Sequence, residues 1–161
     1  MTVSATRVER RPKHGAVRGS QLRAALEQAL RSAASDERIG PAIGASGLRL
    51  RYEFTDVDLI LDLTADQQGR NLSWSFAERP GVHPKLTLAM TAAIANRYLL
   101  GRESIAIAIA RGQVRVRGDS RQALLYLPAA RLLCGPYRAA VEADFPDLAR
   151  AAGIDAARSR A

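Results

Sequence analysis

The stretch ARGQVRVRGD, residues 110–119, is the most informative part of this chain. Val114 and Val116 face one side of a short predicted strand, and the arginines between and after them face the other. Gly112 and Gly118 bracket the strand, where tight turns with positive φ are expected. No side chain in the stretch suits acid–base or nucleophilic chemistry. The segment therefore indicates part of a container and not a catalytic centre.

Helical patterns flank this strand on both sides. The helix before it ends at Gly101, since glycine commonly terminates helices. The run IAIAI at residues 105–109 also alternates like a strand, but the glycines around it favour a short helix. We predict helices over residues 20–35, 91–100, 103–110, 120–134 with an interruption at Pro128, and 137–144.

Strict alternation of apolar and polar residues predicts four further strands upstream. Residues 40–47 contain three glycines and a proline and therefore predict a loop. In the second strand, Asp58 and Asp62 are expected on a solvated polar face. The predicted strands cover residues 48–54, 57–63, 72–76, 86–90 and 114–117.

A sheet with one apolar face needs helices to cover that face. The sequence therefore predicts an α+β fold in which a five-stranded, mostly antiparallel sheet has one face covered by about five helices. Residues 1–19 lack periodicity and predict a flexible basic arm. Residues 20–148 form the predicted domain, and residues 149–161 a flexible tail.

This order of elements resembles the sterol carrier protein type 2 domains, over about residues 20–145. That family has a glycine after a leucine-rich helix, a short helix, a Gly-x-apolar-x-apolar-x-Gly-Asp strand and a leucine-rich helix. The resemblance implies an apolar tunnel between sheet and helices that holds a sterol, a fatty acid or an acyl-CoA. The positions that carry it are Gly101, Gly112, Val114, Val116, Gly118, Asp119, Leu124, Leu125 and Leu127.

Large apolar side chains are the candidates for lining such a tunnel. Sheet aromatics can also stack nucleic-acid bases, but that use needs an open sheet face, which the helices here must cover. Packing in an ordinary core is the alternative for the same residues. The predicted lining residues are Leu59, Leu61, Trp74, Phe76, Leu88, Tyr98, Leu124 and Leu133.

Four arginines cluster around the bracketed strand. A guanidinium group binds phosphate and carboxylate oxygens well, so we expect a rim that holds an anionic head group. A solvated strand face and helix start is the alternative interpretation. The rim residues are Arg111, Arg115, Arg117 and Arg121.

No arrangement of residues in the sequence predicts catalysis. Asp58 and Asp62 would lie about 13 Å apart on one strand face, beyond the usual separation of a carboxylate pair in glycoside hydrolysis. His14 and His83 have no second ligand at metal-binding spacing. Cys134 has no histidine near it in sequence, and phosphate-binding, dinucleotide-binding and nucleophile-elbow motifs are absent. We expect a protein that is not an enzyme and has no metal or cofactor.

Charge and composition indicate the compartment of the protein and the classes of partner that it could bind. The 161-residue chain has a net charge of +8, and residues 1–19 hold five basic residues against one acidic residue. A single cysteine, no apolar run of bilayer length and no secretory signal favour a cytoplasmic protein. The C-terminal Ser-Arg-Ala differs from the peroxisomal tripeptide of some members of the resembled family. The arginine- and alanine-rich composition suggests a bacterial source.

Residues and resemblance together predict an intracellular lipid-binding or carrier protein that acts in lipid transport. The first alternative is a non-enzymatic scaffold of the same fold that binds a lipid-metabolising enzyme and fills its cavity with its own side chains. The second is nucleic-acid binding through the arginine-rich arm, and nucleic acid is the least favoured partner. The basic arm also leaves open a transient contact with an anionic membrane.

Overall fold

The computed structural model describes residues 16–154. In this part of the chain seven helices and five strands follow one another. They are α1 (Gly19–Ser35), α2 (Ile39–Ala45), β1 (Arg49–Phe54), β2 (Leu59–Ala65), β3 (Leu72–Ser75), β4 (Leu86–Met90), α3 (Ala92–Leu99), α4 (Ile105–Ala110), β5 (Arg115–Gly118), α5 (Ser120–Arg131), α6 (Cys134–Asp144) and α7 (Pro146–Ala151). None of the helices within residues 16–154 is long and apolar enough to cross a membrane.

The strands form one sheet in the order β3-β2-β1-β4-β5. β1 pairs with β4 in parallel, and the other three pairs are antiparallel. The predicted α+β class with a mostly antiparallel sheet is therefore confirmed. All five strands also lie within about two residues of their predicted positions, the usual uncertainty of an element boundary.

The apolar face of the sheet is the one that alternation predicts. Leu50 of β1 pairs with Leu63 of β2, and Tyr52 pairs with Leu61; all four side chains are buried. The helix α1 packs against α2, α6, α3 and β3. Each fully buried leucine stabilises the fold by about 1.5–3 kcal/mol. The core between this face and the helices therefore supplies most of the stability.

The opposite face of the sheet carries an ion-pair cluster. The Arg51 guanidinium donates to both carboxylate oxygens of Asp62, at 2.6 and 2.9 Å, and to Glu78 at 2.9 Å. The prediction of a solvated Asp62 is wrong: its side chain is 3% exposed. Arg51 lies directly across from it in the β1–β2 register and covers it. Asp58 lies in the turn before β2, with a φ of 50°, so the two aspartates do not share a strand face.

Residues 39–45 form helix α2 where the sequence predicted a loop. The glycines in this helix do not form a turn; they allow α2 to approach the β2–β3 hairpin closely. An added Cβ at Gly40 would lie 2.3 Å from the Asn71 side-chain oxygen, and one at Gly44 would lie 2.3 Å from the Asn71 backbone nitrogen. Only glycine lets this helix pack so closely on the end of the β2–β3 hairpin.

Helix α5 continues through Pro128, where an interruption was predicted. A proline inside a helix deprives the carbonyl four residues earlier, here that of Leu124, of its donor. Both residues are exposed, so water can hydrate the freed carbonyl. The helix therefore tolerates the proline at this position.

The C-terminal end of the fold extends beyond the predicted boundary at residue 148. Ala152 is buried after α7, and Ile154 packs against the core, so residues 149–154 are not a flexible tail. At the other end, Val17 is buried and α1 begins at Gly19, so the last part of the predicted arm contacts the core. The rest of the arm (residues 1–15) and of the tail (residues 155–161) lies outside the described residues.

Candidate functional site

A groove of about 950 Å³ opens between the end of α3, helix α4, the second half of α5 and the start of α6. We call it the arginine groove, because arginine is its most frequent residue. Its walls therefore come from four helices and the turns between them. It is lined by Arg97, Tyr98, Gly101, Arg102, Glu103, Ser104, Ile105, Ala106, Ile107, Arg111, Leu127, Pro128, Arg131, Cys134 and Arg138.

The inner side of the arginine groove is apolar. Tyr98 and Ile105 are buried there, and Leu127 packs half-buried against the core. The Cys134 thiol lies beside them and points to the Tyr98 carbonyl oxygen at 3.9 Å. Such a surface can accept the hydrocarbon part of a ligand without leaving polar groups unpaired.

The outer side of the arginine groove is strongly positive. Five arginines border it against a single carboxylate, that of Glu103. Glu103 lies 3.8 Å from Arg97. Within residues 16–154, the other four arginines have no carboxylate within 4.0 Å. Their guanidinium groups are available for a carboxylate or phosphate of a ligand.

Gly101 sets the position of one of these arginines. It has a φ of 75°, and an added Cβ would lie 3.0 Å from a terminal guanidinium nitrogen of Arg138. Arg138 therefore lies directly over the glycine. Gly101, Arg102 and Arg138 also border a second cavity of about 620 Å³, which α7 closes on its far side. The two cavities thus adjoin along this turn.

A buried amide holds together the helices that form the two cavities. Asn96 of α3 is fully buried and donates its side-chain amide to the Leu148 carbonyl of α7 at 2.8 Å. Its side-chain oxygen accepts a hydrogen bond from the Tyr137 hydroxyl of α6. Every polar atom of this network is paired, which fixes α3, α6 and α7 relative to one another.

The titratable groups on the inner side of the arginine groove are neutral at physiological pH. Burial raises the pKa of Tyr98 to about 12. Burial also raises the pKa of the Cys134 thiol, and this effect outweighs the positive charges of Arg131 and Arg138, which lower it. The groove therefore has no thiolate or phenolate to oppose its arginines. No three His, Cys, Asp or Glu side chains within residues 16–154 are grouped as metal ligands.

The predicted tunnel residues are distributed over the fold instead of lining one cavity. Tyr98 borders the arginine groove. Leu61, Leu88 and Leu133 are buried in the core, and Leu59 packs half-buried against it. The expectation that Leu124 faces the interior is wrong, because it lies on the outward face of α5 with 79% of its surface exposed. A continuous tunnel along the sheet stays a prediction.

Trp74 and Phe76, both predicted to line the tunnel, lie under α1. The Trp74 indole donates to the Glu27 carboxylate at 3.0 Å. The Arg23 guanidinium lies 5.0 Å from the centre of the Phe76 ring, at cation–π distance. These contacts place both aromatic side chains against α1 and away from the arginine groove.

The predicted head-group rim is divided between three places. Arg111 borders the arginine groove. Arg115 and Arg117 lie on the polar face of the sheet, where Arg117 forms an ion pair with Glu53 at 2.6 Å. Arg121 is exposed in the first turn of α5. Of the four, only Arg111 borders one of the two cavities described above.

Sequence reasoning missed four of the five groove arginines: Arg97, Arg102, Arg131 and Arg138. They lie on α3, in the α3–α4 turn, at the end of α5 and on α6. No spacing in the sequence connects them.

Solved structures share this fold. The ubiquinone synthesis protein UbiJ-SCP2 superposes with a TM-score of 0.50 and 20% identity, over 78% of this chain and 95% of that one. The apo form of sterol carrier protein 2 from Yarrowia lipolytica gives a TM-score of 0.53 with 8% identity, over 71% of this chain and 88% of that one. The resemblance seen in the sequence is thus confirmed at the level of the fold.

Other comparisons add no functional information. The sec-alkylsulfatase Pisa1 from Pseudomonas sp. matches with a TM-score of 0.45 and 17% identity over 56% of this chain, which spans 14% of the sulfatase's length. No family model matches the chain, and no curated protein matches it significantly.

Proposed function

Starting from the fold of a sterol carrier protein 2 domain, we propose that this chain binds an amphipathic lipid with an anionic group. The hydrocarbon part lies against the apolar inner side of the arginine groove, and the anionic group pairs with the arginines. The observation that carries the proposal is the combination of five arginines, a single carboxylate and an apolar inner wall in one groove. On this proposal, the protein acts as an intracellular lipid carrier.

The arginines narrow the ligand class. Of sterols, fatty acids and acyl-CoAs, the latter two carry a carboxylate or phosphates that a guanidinium can bind through two parallel hydrogen bonds. A sterol hydroxyl offers no charge and would leave the arginines without a partner. Burial of each methylene contributes about 0.8 kcal/mol, so a chain of several methylenes can supply most of the affinity.

A charged and an uncharged probe of equal shape test the proposal. The carboxylate form of anthroyloxy-stearate is expected to bind saturably, and its methyl ester about tenfold or more weakly, because a hydrogen bond to a charged group contributes about 1.5–3 kcal/mol. The double variant R131Q/R138Q should lose this preference. The control R31Q/R70Q removes the same charge outside the groove and should keep it. Equal affinity of acid and ester for all proteins would contradict the proposal.

Alkylation of Cys134 provides an independent test of where the ligand binds. It is the only cysteine of the chain and borders the arginine groove. Alkylation of the thiol by N-ethylmaleimide should slow in a saturable way as the acid probe fills the groove. An alkylation rate unaffected by saturating probe would place the ligand elsewhere.

A further inference from the structure

The large apolar side chains that the fold exposes are concentrated in one segment. Within residues 16–154 they are Ile107 of α4, Val116 of β5, Leu124 and Leu125 of α5, and Leu132 at the end of α5. Exposed apolar residues are common singly, but a concentration of them marks an interaction surface.

Helix α5 is apolar on both sides. Its inward residues Tyr126, Ala129 and Ala130 are buried. On the outward side, Leu124 is 79% and Leu125 63% exposed. Leu132 continues this outward face by helical spacing, since it lies two turns after Leu125. The inward face accounts for the position of α5 in the fold, and the outward face contacts none of the described core.

The same segment is almost free of carboxylates. Residues 104–141 contain six arginines and one acidic residue, Asp119. The Asp119 carboxylate accepts a hydrogen bond from the Arg121 amide as the N-cap of α5, so it serves the helix end. Arg121 and Arg131 lie at the two ends of the outward face of α5 and are exposed. Leucines between arginines are typical of a helix that lies in the interface of an anionic bilayer.

We infer that the outward face of α5 docks on an anionic lipid bilayer, with Leu124, Leu125 and Leu132 in the interface and arginines at the phosphates. The arginine groove opens beside this surface, since Leu127 and Arg131 of α5 border it. The docking surface shares Arg131 with the arginine groove, but binding to a vesicle requires no ligand in the groove, so the two proposals can fail independently.

Vesicle co-sedimentation tests the inference. The full chain is expected to bind vesicles of 70% phosphatidylcholine and 30% phosphatidylglycerol, and to bind pure phosphatidylcholine weakly. L124S/L125S should lower the affinity for the mixed vesicles by about tenfold or more, because two partly inserted leucines are lost. R121Q should lower it by about fivefold, and R70Q, a control on the β2–β3 turn, by less. Circular dichroism and the melting temperature confirm that the variants fold.

Three results would overturn the inference. The first is no binding of the wild-type chain to the mixed vesicles at low salt. The second is equal binding of wild type and L124S/L125S. The third is a dimer, measured by light scattering, that L124S/L125S abolishes, since a second copy would then cover the face. Loading of the groove with the acid probe, measured without vesicles, stays unchanged in L124S/L125S, so failure of this inference and failure of the proposed function are distinguishable.

Discussion

The Tyr137 hydroxyl donates a hydrogen bond of 2.8 Å to the side-chain oxygen of Asn96, 41 positions away in the sequence. Both side chains are fully buried. Since the Asn96 amide also binds the Leu148 carbonyl, one side chain satisfies polar groups on two other helices. A buried amide in this position acts as a specific connection between helices that apolar contacts alone would leave free to slide.

Replacing this amide should destabilise the fold more than removing its partner's hydroxyl. Asn96→Ala leaves two buried polar groups unpaired, the Tyr137 hydroxyl and the Leu148 carbonyl, and should lower the free energy of unfolding by about 3 kcal/mol. Tyr137→Phe leaves only the Asn96 oxygen unpaired and should cost about 1–2 kcal/mol. Urea denaturation measures both. Equal costs would show that the amide–carbonyl bond to α7 contributes nothing.

Two of the ion pairs on the polar face of the sheet should differ in strength. Asp62→Ala leaves Arg51, whose side chain is 13% exposed, without its two hydrogen bonds to Asp62, and should cost about 3 kcal/mol. Glu53→Ala removes the partner of Arg117, whose side chain is 67% exposed, and should cost less than about 1 kcal/mol. The comparison uses the free energy of unfolding at pH 7. A cost of Glu53→Ala as large as that of Asp62→Ala would contradict the importance of burial here.

The glycines that bracket β5 should not tolerate alanine equally. Both have positive φ, 73° at Gly112 and 117° at Gly118, so each substitution carries a backbone strain of about 1 kcal/mol or more. At Gly118 an added Cβ would also lie 2.2 Å from the Lys85 carbonyl oxygen, whereas at Gly112 it meets open space. Gly118→Ala should therefore lower the melting temperature much more than Gly112→Ala. Similar melting temperatures would mean that β5 can move away from β4 at little cost.

The stability of the fold should fall at alkaline pH. Burial raises the pKa of Tyr98 to about 12 and also raises the pKa of Tyr52 and of Tyr137. Up to about pH 10 these phenols are neutral in both the folded and the unfolded state, so their full contribution to the free energy of unfolding is present. Above that pH the unfolded chain loses protons that the folded chain keeps, so stability decreases until the pKa of the folded state is passed.

The variant Tyr98→Phe isolates one of these groups. Each buried tyrosine contributes a slope of about 1.4 kcal/mol per pH unit between its two pKa values. The variant should therefore show a shallower loss of unfolding free energy between pH 10 and 12 than the wild type. Parallel curves for the two proteins over that range would show that Tyr98 ionises at its ordinary pKa in the fold.

The sheet could be predicted because its strands satisfy a local rule. Alternation at residues 48–54 matches the alternating burial of β1, whereas β4 is buried along its whole length and was located by its apolar residues alone. The same rule cannot say that Arg51 covers Asp62, because the pair depends on strand register. Gly40 and Gly44 were misinterpreted for a related reason: a glycine that permits close packing and a glycine that turns the chain are identical in sequence.

The arginine groove could not be predicted, because its side chains come together only through the packing of α3, α5 and α6. The sequence indicated arginines near β5 as anion-binding candidates, but strand pairing places Arg115 and Arg117 on the polar face of the sheet. Leu124 was assigned to the interior by its place in a leucine-rich run. The structure separates the inward and outward leucines of that run by helical phase, which depends on where α5 is buried.

The uneven placement of carboxylates has a kinetic consequence. Asp62, Glu78 and Glu53 pair with arginines on the polar face of the sheet, whereas the arginine groove holds Glu103 alone. We therefore expect the excess positive charge of the arginine groove to orient the protein, groove first, as it diffuses toward an anionic particle. Lowering the ionic strength lengthens the range of this orientation beyond the roughly 8 Å of physiological salt. The rate of association should then rise, while the rate of dissociation, set by short-range contacts, changes little.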